Sequence, residues 1–192
     1  MVSTQLAVLD AAALCFGRVG FKKTSMDDVA AAAGVAKGTV YLYCESKQDL
    51  FAQAVENELH SWVESMSTLI DPKRPADEIL TEMAMRDRAF IEERPLVADL
   101  LVGSLDGLLP GSRHRFVELR RKGVGHVVAV LELGIRQGVF AADLDVPATA
   151  RVLQEMQLVG ALLARRTQLS TAQVRRHQRA TWQLALNGIR GR

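Results

Sequence analysis

The segment from residue 24 to residue 47 concentrates side chains that could bind phosphate groups. Proteins bind phosphate through hydroxyls, ammonium groups and the free backbone amides at helix N-termini. Gly38 would also let another molecule approach the backbone closely, because it has no side chain. The candidate residues in this segment are Thr24, Ser25, Lys37, Gly38, Thr39, Tyr41, Tyr43 and Lys47.

The rest of the chain shows no pattern typical of catalysis or metal binding. It has no glycine-rich phosphate loop, no nucleophile elbow and no close pair of acids. The histidines have no metal-ligand spacing with carboxylates or thiols; they are His60, His114, His126 and His177. We therefore expect a non-enzyme that needs no cofactor and no metal.

Composition indicates a globular protein of the cytoplasm. Of 192 residues, 48% are hydrophobic and 24% are charged, as in ordinary folded domains. Cys15 and Cys44 form no disulfide framework, which favours a reducing compartment. There is no signal-peptide pattern and no apolar run of about 18 residues, the length a membrane span needs.

The net charge of +2 is distributed unevenly. Residues 1–50 are neutral, residues 51–100 carry five basic against eleven acidic side chains, and residues 101–192 carry fourteen against six. The sum alone would place a nucleic-acid surface in the C-terminal half. We expect the local placement of cations to matter more than this sum.

The elements that must position these side chains are helices. Apolar residues recur with a period near 3.6 and never alternate as in strands. A first helix carries Leu6 to Phe16 and stops near residues 17–20. The other predicted helices span residues 25–33, 36–43, 46–70, 76–93, 96–109, 113–138, 148–165 and 171–186.

Gly34 separates the second and third predicted helices, as in a helix-turn-helix. Ser25 with Asp28, three residues on, predicts a capping box at the start of the second helix. The tight turn of such a motif favours glycine, which tolerates positive φ. Apolar residues then supply the contacts between the two helices: Val29, Ala30, Ala33, Val35, Val40 and Tyr43.

These strings resemble the N-terminal signature of the TetR family of transcriptional regulators. The similarity lies in residues 20–25 (GFKKTS), 29–43 (VAAAAGVAKGTVYLY) and 46–47 (SK), and covers about residues 6–55. It implies an all-α protein with a three-helix DNA-binding domain at residues 1–47. Residues 48–192 would form a helical effector-binding and dimerisation domain. The function implied is repression from a near-palindromic operator, relieved by a small ligand.

The resemblance also assigns roles to the phosphate-binding candidates. Thr24 and Ser25 would meet phosphates at the N-terminus of the second helix. Lys37, Gly38 and Thr39 would enter the major groove in the first turn of the third helix, where Thr39 could also contact a thymine methyl group. The remaining phosphate contacts would come from Tyr41, Tyr43 and Lys47, with Lys22 and Lys23 adding nonspecific attraction.

Some of these assignments leave alternatives open. Tyr43 also fits packing inside the motif, and Lys47 could be merely solvated. The third helix has no Arg, Asn or Gln, so DNA shape would contribute to recognition. Cys44 stands where the family usually has an aromatic side chain, which could loosen the domain or mark a redox-sensing thiol.

In the larger domain, the resemblance places dimerisation on the helices at about 148–165 and 171–186. Met156, Val159, Gly160 and Leu163 could form the seam, or could face the protein's own core. A small ligand, most simply apolar or aromatic, would lie between the helices at 76–109, 113–138 and 148–165. The candidate lining residues, each of which also fits a plain core, are Trp62, Met66, Met83, Phe90, Leu101, His126 and Met156.

Three alternatives to this interpretation remain. An anionic effector could bind the arginines at 113, 115, 120 and 121. The chain could be an activator, or a regulator without an effector. It could also be an all-helical interaction protein whose DNA-binding domain is disabled, which the neutral N-terminal segment and Cys44 would fit.

Overall fold

The computed structural model describes residues 3–94, 96–97, 99, 113–166 and 170–191. Within these residues the fold is all-α; the only β-type pairing there is one antiparallel bridge between Phe140 and Arg190. The helices are α1 (Thr4–Val19), α2 (Met26–Ala33), α3 (Lys37–Val40), α4 (Lys47–Ser67), α5 (Ala76–Glu93), α6 (Arg113–Arg136), α7 (Val146–Arg166) and α8 (Thr171–Ile189).

The chain divides into two compact units. The first contains Met1–Trp62 and Glu93–Leu119, and the second contains Val63–Glu92 and Arg120–Arg192. The predicted boundary after residue 47 separates a DNA-binding part from the rest and stays a prediction. None of the described helices is long and apolar enough to cross a bilayer.

An aromatic cluster forms the centre of the first unit. The ring of Phe51, on α4, meets Phe16 edge to face at 4.9 Å and Phe21 at 5.1 Å. Such aromatic contacts add to the stabilisation from buried area. Asn57 of α4 also donates a hydrogen bond to Asp10 of α1 at 3.2 Å. These contacts fix α4 against the helices that precede it.

In the second unit, α8 packs against the start of α5. Trp182 Nε1 donates to Thr81 Oγ1 at 3.4 Å, and Arg190 forms an ion pair with Asp77 at 3.0 Å. Gly134 lies beneath the ring of Phe140, where an added Cβ would overlap with the ring. Glycine is therefore required at 134 for this packing.

Most predicted helices are confirmed, with shifts at their ends. The predicted helix at 36–43 is shorter, because Leu42 N donates to Thr39 O and Tyr43 N to Val40 O, which turns the chain after α3. The last helix is longer and reaches Ile189, which is buried. The predicted helix at 96–109 lies outside the described residues except for 96, 97 and 99.

Candidate nucleic-acid interface

The turn between α2 and α3 follows from the chemistry of its two ends. At the start of α2, Asp28 N donates to Ser25 Oγ at 3.1 Å, and Ser25 N donates to Asp28 Oδ2 at 2.8 Å. At its end, Gly34 has φ 68° and ψ 30°, the left-handed conformation, and caps the helix through its backbone N–H. The predicted capping box and the predicted glycine turn are thus both present.

The inner face of this motif is apolar, whereas its outer face is polar and exposed. Val29, Ala30 and Val40 are buried. Lys37 and Gly38 are exposed at the start of α3, Thr39 is half-buried, and Tyr41 is 48% exposed just after the helix. The structure therefore brings four of the predicted DNA-binding residues together on one short surface segment.

Lys37 forms an ion pair that the sequence did not indicate. Its Nζ donates a hydrogen bond to Asp27 Oδ2 at 2.8 Å, across the turn from α2 to α3. This hydrogen bond raises the pKa of Lys37, so the side chain is fully charged at neutral pH. Ten residues separate the two partners, and no local sequence pattern links them.

The hydroxyl of Thr24 points into the protein rather than outward. Thr24 is 2% exposed, and its Oγ1 donates to the carbonyl oxygens of Gly20 at 3.0 Å and Cys15 at 3.2 Å. In this conformation the hydroxyl of Thr24 is therefore not free to donate a hydrogen bond to a phosphate, as the sequence had led us to expect. Thr24 instead fastens the loop before α2 to the end of α1. Ser25, its neighbour, is exposed.

Lys47 and Tyr43 are both anchored in the domain. Lys47 Nζ donates to Lys22 O at 3.3 Å and lies 4.7 Å from the centroid of the Phe21 ring, a cation–π distance. Tyr43 is half-buried, and its carbonyl oxygen accepts a hydrogen bond from Gln53 at 3.0 Å. Lys47 is therefore more than a solvated side chain, although a contact with DNA stays a prediction for both residues.

Cys44 is buried beside α3. It is 6% exposed, and its Sγ lies 3.4 Å from Val40 O. Burial and the nearby carboxylate of Asp49 raise the pKa of this thiol, which favours the unreactive protonated form. This environment favours a packing role for Cys44.

The predicted ligand-lining residues differ in burial. Trp62, Met66 and Met83 are buried, and Phe90 and Met156 are half-buried. Leu101 lies outside the described residues. So do the side chains of Leu163, Arg113, Arg115 and Arg120, and the burial of Gly160 is not described either.

His126 is the member of this set with unsatisfied polar chemistry. Its Nδ1 is buried and has no hydrogen-bond partner among the described residues. Desolvation lowers the pKa of its ring, so the imidazole is neutral at physiological pH. A buried polar atom without a partner is uncommon in a folded protein and needs an explanation.

The two C-terminal helices expose apolar side chains. Val152 and Val159 of α7 are 53% and 52% exposed, and Leu184 of α8 is 74% exposed. The helices belong to the same unit and contact each other. The predicted seam residue Val159 is thus on the surface of the single chain.

A capped helix, a left-handed glycine turn and a short exposed helix define a helix-turn-helix DNA-binding protein. Residues 8–54 match the model of the bacterial regulatory proteins of the tetR family. Residues 8–54 thus form a DNA-binding segment of the kind found in the TetR family of transcriptional regulators.

Similarity to known proteins extends beyond the matched segment. The chain is 27% identical to the HTH-type transcriptional repressor KstR2 of Mycolicibacterium smegmatis, over 77% of this chain and 73% of that one. The structure of FadR from Bacillus subtilis in complex with stearoyl-CoA has a TM-score of 0.73 at 22% identity, over 96% and 98% of the chains. The structure of the ketosteroid transcriptional regulator KstR2 of Mycobacterium tuberculosis has a TM-score of 0.69 at 22% sequence identity, over 100% of this chain and 97% of that one. The two structural similarities concern the fold.

Proposed function

We propose that this protein is a homodimeric, cytoplasmic repressor that a small, mainly apolar ligand releases from a near-palindromic operator. The observation that carries the proposal is the left-handed turn at Gly34, which presents Lys37, Gly38, Thr39 and Tyr41 on an exposed surface. The same segment lies within the matched DNA-binding region.

On the DNA side, α3 would enter the major groove while its surroundings bind the backbone. Gly38 has no atom within 4 Å of an added Cβ, so a groove wall could approach it closely. One phosphate would bind to Ser25 and the first backbone amides of α2. A second phosphate would bind to Tyr41, with Lys47 and Tyr43 behind it. Thr24 is left out of this set because its hydroxyl is engaged inside the protein.

On the ligand side, the chemistry of the second unit supports an apolar molecule that carries a carbonyl group. Met66 and Met83 are buried, and methionine adapts its shape to apolar surfaces. A neutral His126 whose Nδ1 carries the proton could donate one hydrogen bond to a carbonyl oxygen. One structural relative was found in complex with stearoyl-CoA and another is named as a ketosteroid regulator; both compounds are largely apolar and carry a carbonyl group.

The element that would pass the signal to the DNA-binding part is α4. Its Gln53 holds the carbonyl of Tyr43 at 3.0 Å, and its Asn57 contacts Asp10 at 3.2 Å. Its buried Glu58 forms an ion pair with Arg94, just after α5, at 2.6 Å. A ligand that favours another position of α4 would move the DNA-binding residues with it, and operator affinity would fall.

The test for DNA binding begins with selection of a duplex from a random-sequence pool by the purified protein. We expect the selected duplex to bind more tightly than a scrambled one, with affinity falling linearly in log salt. Tyr41→Phe should weaken operator binding about tenfold, since a hydrogen bond to a charged group is lost. Tyr43→Phe, which removes the phenol of the half-buried Tyr43 behind it, should weaken operator binding less than Tyr41→Phe does. If the purified protein enriches no sequence from the pool, the proposal is contradicted.

The test for the ligand uses stearoyl-CoA and a 3-ketosteroid as probes. At least one should raise the unfolding temperature and release the selected duplex. His126→Phe keeps an aromatic ring but removes the nitrogen, and should weaken that ligand about tenfold, as expected for one buried hydrogen bond. Met85→Leu, at an exposed position of α5, is the control. If His126→Phe responds to the ligand like the wild type, the assigned role of His126 is wrong.

A further inference from the structure

Residues 24–46, which include α2 and α3, contain a single cation. Between residues 24 and 46, Lys37 is the only lysine or arginine, against the carboxylates of Asp27, Asp28 and Glu45. The ammonium of Lys37 is held by Asp27 at 2.8 Å. The one positive charge of this segment is therefore neutralised locally in the free protein.

Asp27 is not needed to cap α2. Asp28 alone closes the capping box, because its Oδ2 accepts hydrogen bonds from both the N–H and the Oγ of Ser25, at 2.8 Å and 2.7 Å. The side chain of Asp27 is 68% exposed, and that of Lys37 is 51% exposed. The contact of Asp27 with Lys37 is thus a surface ion pair, beside a cap that is complete without it.

A surface ion pair of this kind is weak and can be exchanged for another anion. On DNA of random sequence, binding comes essentially from phosphates and counterion release. On random DNA, Lys37 leaves the carboxylate of Asp27 and binds a phosphate instead. The negative charge of Asp27 is then no longer neutralised and repels the phosphate backbone of the DNA. On the operator, base contacts and shape complementarity contribute as well and can outweigh this exchange.

We propose that Asp27 is a specificity-determining residue, which occupies Lys37 in the free protein and weakens binding to random DNA more than binding to the operator. The proposal rests on the proposed function, in which α3 reads the operator. Asp27 acts through Lys37 and through its own charge, and it touches no base in this scheme.

The test compares Asp27→Asn with the wild type on the selected duplex and on a scrambled duplex of equal length. We expect the variant to bind the scrambled duplex about fivefold more tightly, which is the scale of one exposed ion pair. The salt slope on that duplex should steepen by up to about 0.9, because the variant brings one more net positive charge to the phosphates. Affinity for the selected duplex should rise less, so the specificity ratio falls.

Two further variants separate pairing from net charge. Glu45→Gln removes one exposed carboxylate from the same segment but leaves the Asp27–Lys37 pair in place, and it should change the ratio little. In a Lys37→Gln background, Asp27→Asn should have a smaller effect, because only the part that comes from removing the charge of Asp27 itself remains. An equal rise in Glu45→Gln, or an undiminished effect of Asp27→Asn without Lys37, would overturn the proposal.

Thermal unfolding shows whether Asp27→Asn folds as the wild type does, and Asp27→Ser serves as a second variant with a short side chain suited to a helix start. An unchanged ratio in both folded variants would overturn the role of Asp27 while leaving the repressor function intact. A wild-type protein that selects no duplex would instead overturn the proposed function together with this inference.

Discussion

Gly34 and Gly38 lie four residues apart and have opposite backbone requirements. Gly34 has φ 68° and lies in open space, with no atom within 4 Å of an added Cβ. A side chain there is disfavoured by its conformation alone, at a cost of about 1–2 kcal/mol. Gly38 lies in α3 and also has room for a Cβ, where alanine is favoured over glycine by up to about 1 kcal/mol.

We therefore expect Gly34→Ala to lower the free energy of unfolding by about 1 kcal/mol. Gly34→Asn should cost less, because asparagine tolerates the left-handed region. Gly38→Ala should leave stability unchanged or raise it, while weakening operator binding by keeping the groove wall away. Urea unfolding of the three variants measures the first effects. Equal stability of Gly34→Ala and Gly38→Ala would contradict this reading of the turn.

The two cysteines allow a direct test of redox sensing. Cys44 is buried and Cys15 is partly exposed, and burial raises the pKa of both thiols. A thiol whose pKa is raised carries less of the reactive thiolate. In the native protein at pH 7.5 we expect a disulfide reagent to modify Cys44 only at the rate of unfolding, and to leave operator affinity unchanged. Rapid labelling of Cys44 with loss of DNA binding would restore the sensing hypothesis.

Among the elements, α4 is joined to the residue after α5 by a buried charge. Glu58 has a side chain 6% exposed, and the guanidinium of Arg94 lies 2.6 Å away. Removing the partner of a buried carboxylate leaves an uncompensated charge, which is costly. Since Arg94 is itself 38% exposed, water replaces part of the lost contact.

We expect Arg94→Met to lower the free energy of unfolding by about 2 kcal/mol, below the usual cost of breaking a fully buried pair. Arg88→Met provides the matched control, since Arg88 pairs with Glu92 at 3.0 Å on the surface of α5, and it should cost less than about 0.5 kcal/mol. Both are measured by urea unfolding. The double variant Glu58→Met with Arg94→Met should recover part of the loss, and equal costs for the two single variants would show that Glu58 does not depend on Arg94.

Helices and their caps could be predicted from the sequence because their causes are local. Ser25 with Asp28 announces the start of α2, and the bounds Ala76–Glu93 of α5 agree with the apolar period between two prolines. The cap of α8, in which Ser170 pairs with Gln173, carries the same local signal and was missed.

Contacts between elements could not be predicted in this way. The inward hydroxyl of Thr24 depends on where α1 ends, and the pairing of Lys37 with Asp27 depends on the angle across the turn. Neither is fixed by residue type or by spacing. The candidate site was therefore predictable as a segment, whereas the direction of individual side chains within it was not.

At the scale of the whole molecule, the net charge of each part of the chain does not indicate where the DNA-binding residues lie. The C-terminal half carries fourteen basic against six acidic residues, yet the family match lies at residues 8–54, in the neutral part. A DNA-binding domain whose one central lysine is paired with a carboxylate has little long-range electrostatic attraction for DNA. Two such domains joined in a dimer would gain affinity, because they bind two half-sites at the same time.

The proposed repressor would therefore need to dimerise, and we expect the dimer to form through the exposed apolar residues of α7 and α8. Leu184 and Val159 are 74% and 52% exposed in the single chain, and both lie on helices of the second unit; removal of exposed apolar surface from water favours association with a second copy. Leu184→Glu and Val159→Glu should each shift the protein from dimer to monomer at micromolar concentration in sedimentation experiments. Operator affinity should fall at least tenfold, because one reader then binds one half-site.

Met85→Glu is the control for this change. Met85 is 64% exposed on α5, so the substitution exchanges an exposed apolar side chain for a carboxylate in the same unit but away from α7 and α8 in sequence. It should leave both the dimer and operator binding intact. If Leu184→Glu and Val159→Glu also remain dimeric, the two copies meet through another surface. Dimerisation through that surface would then compensate for the weak electrostatic attraction of each DNA-binding domain for DNA.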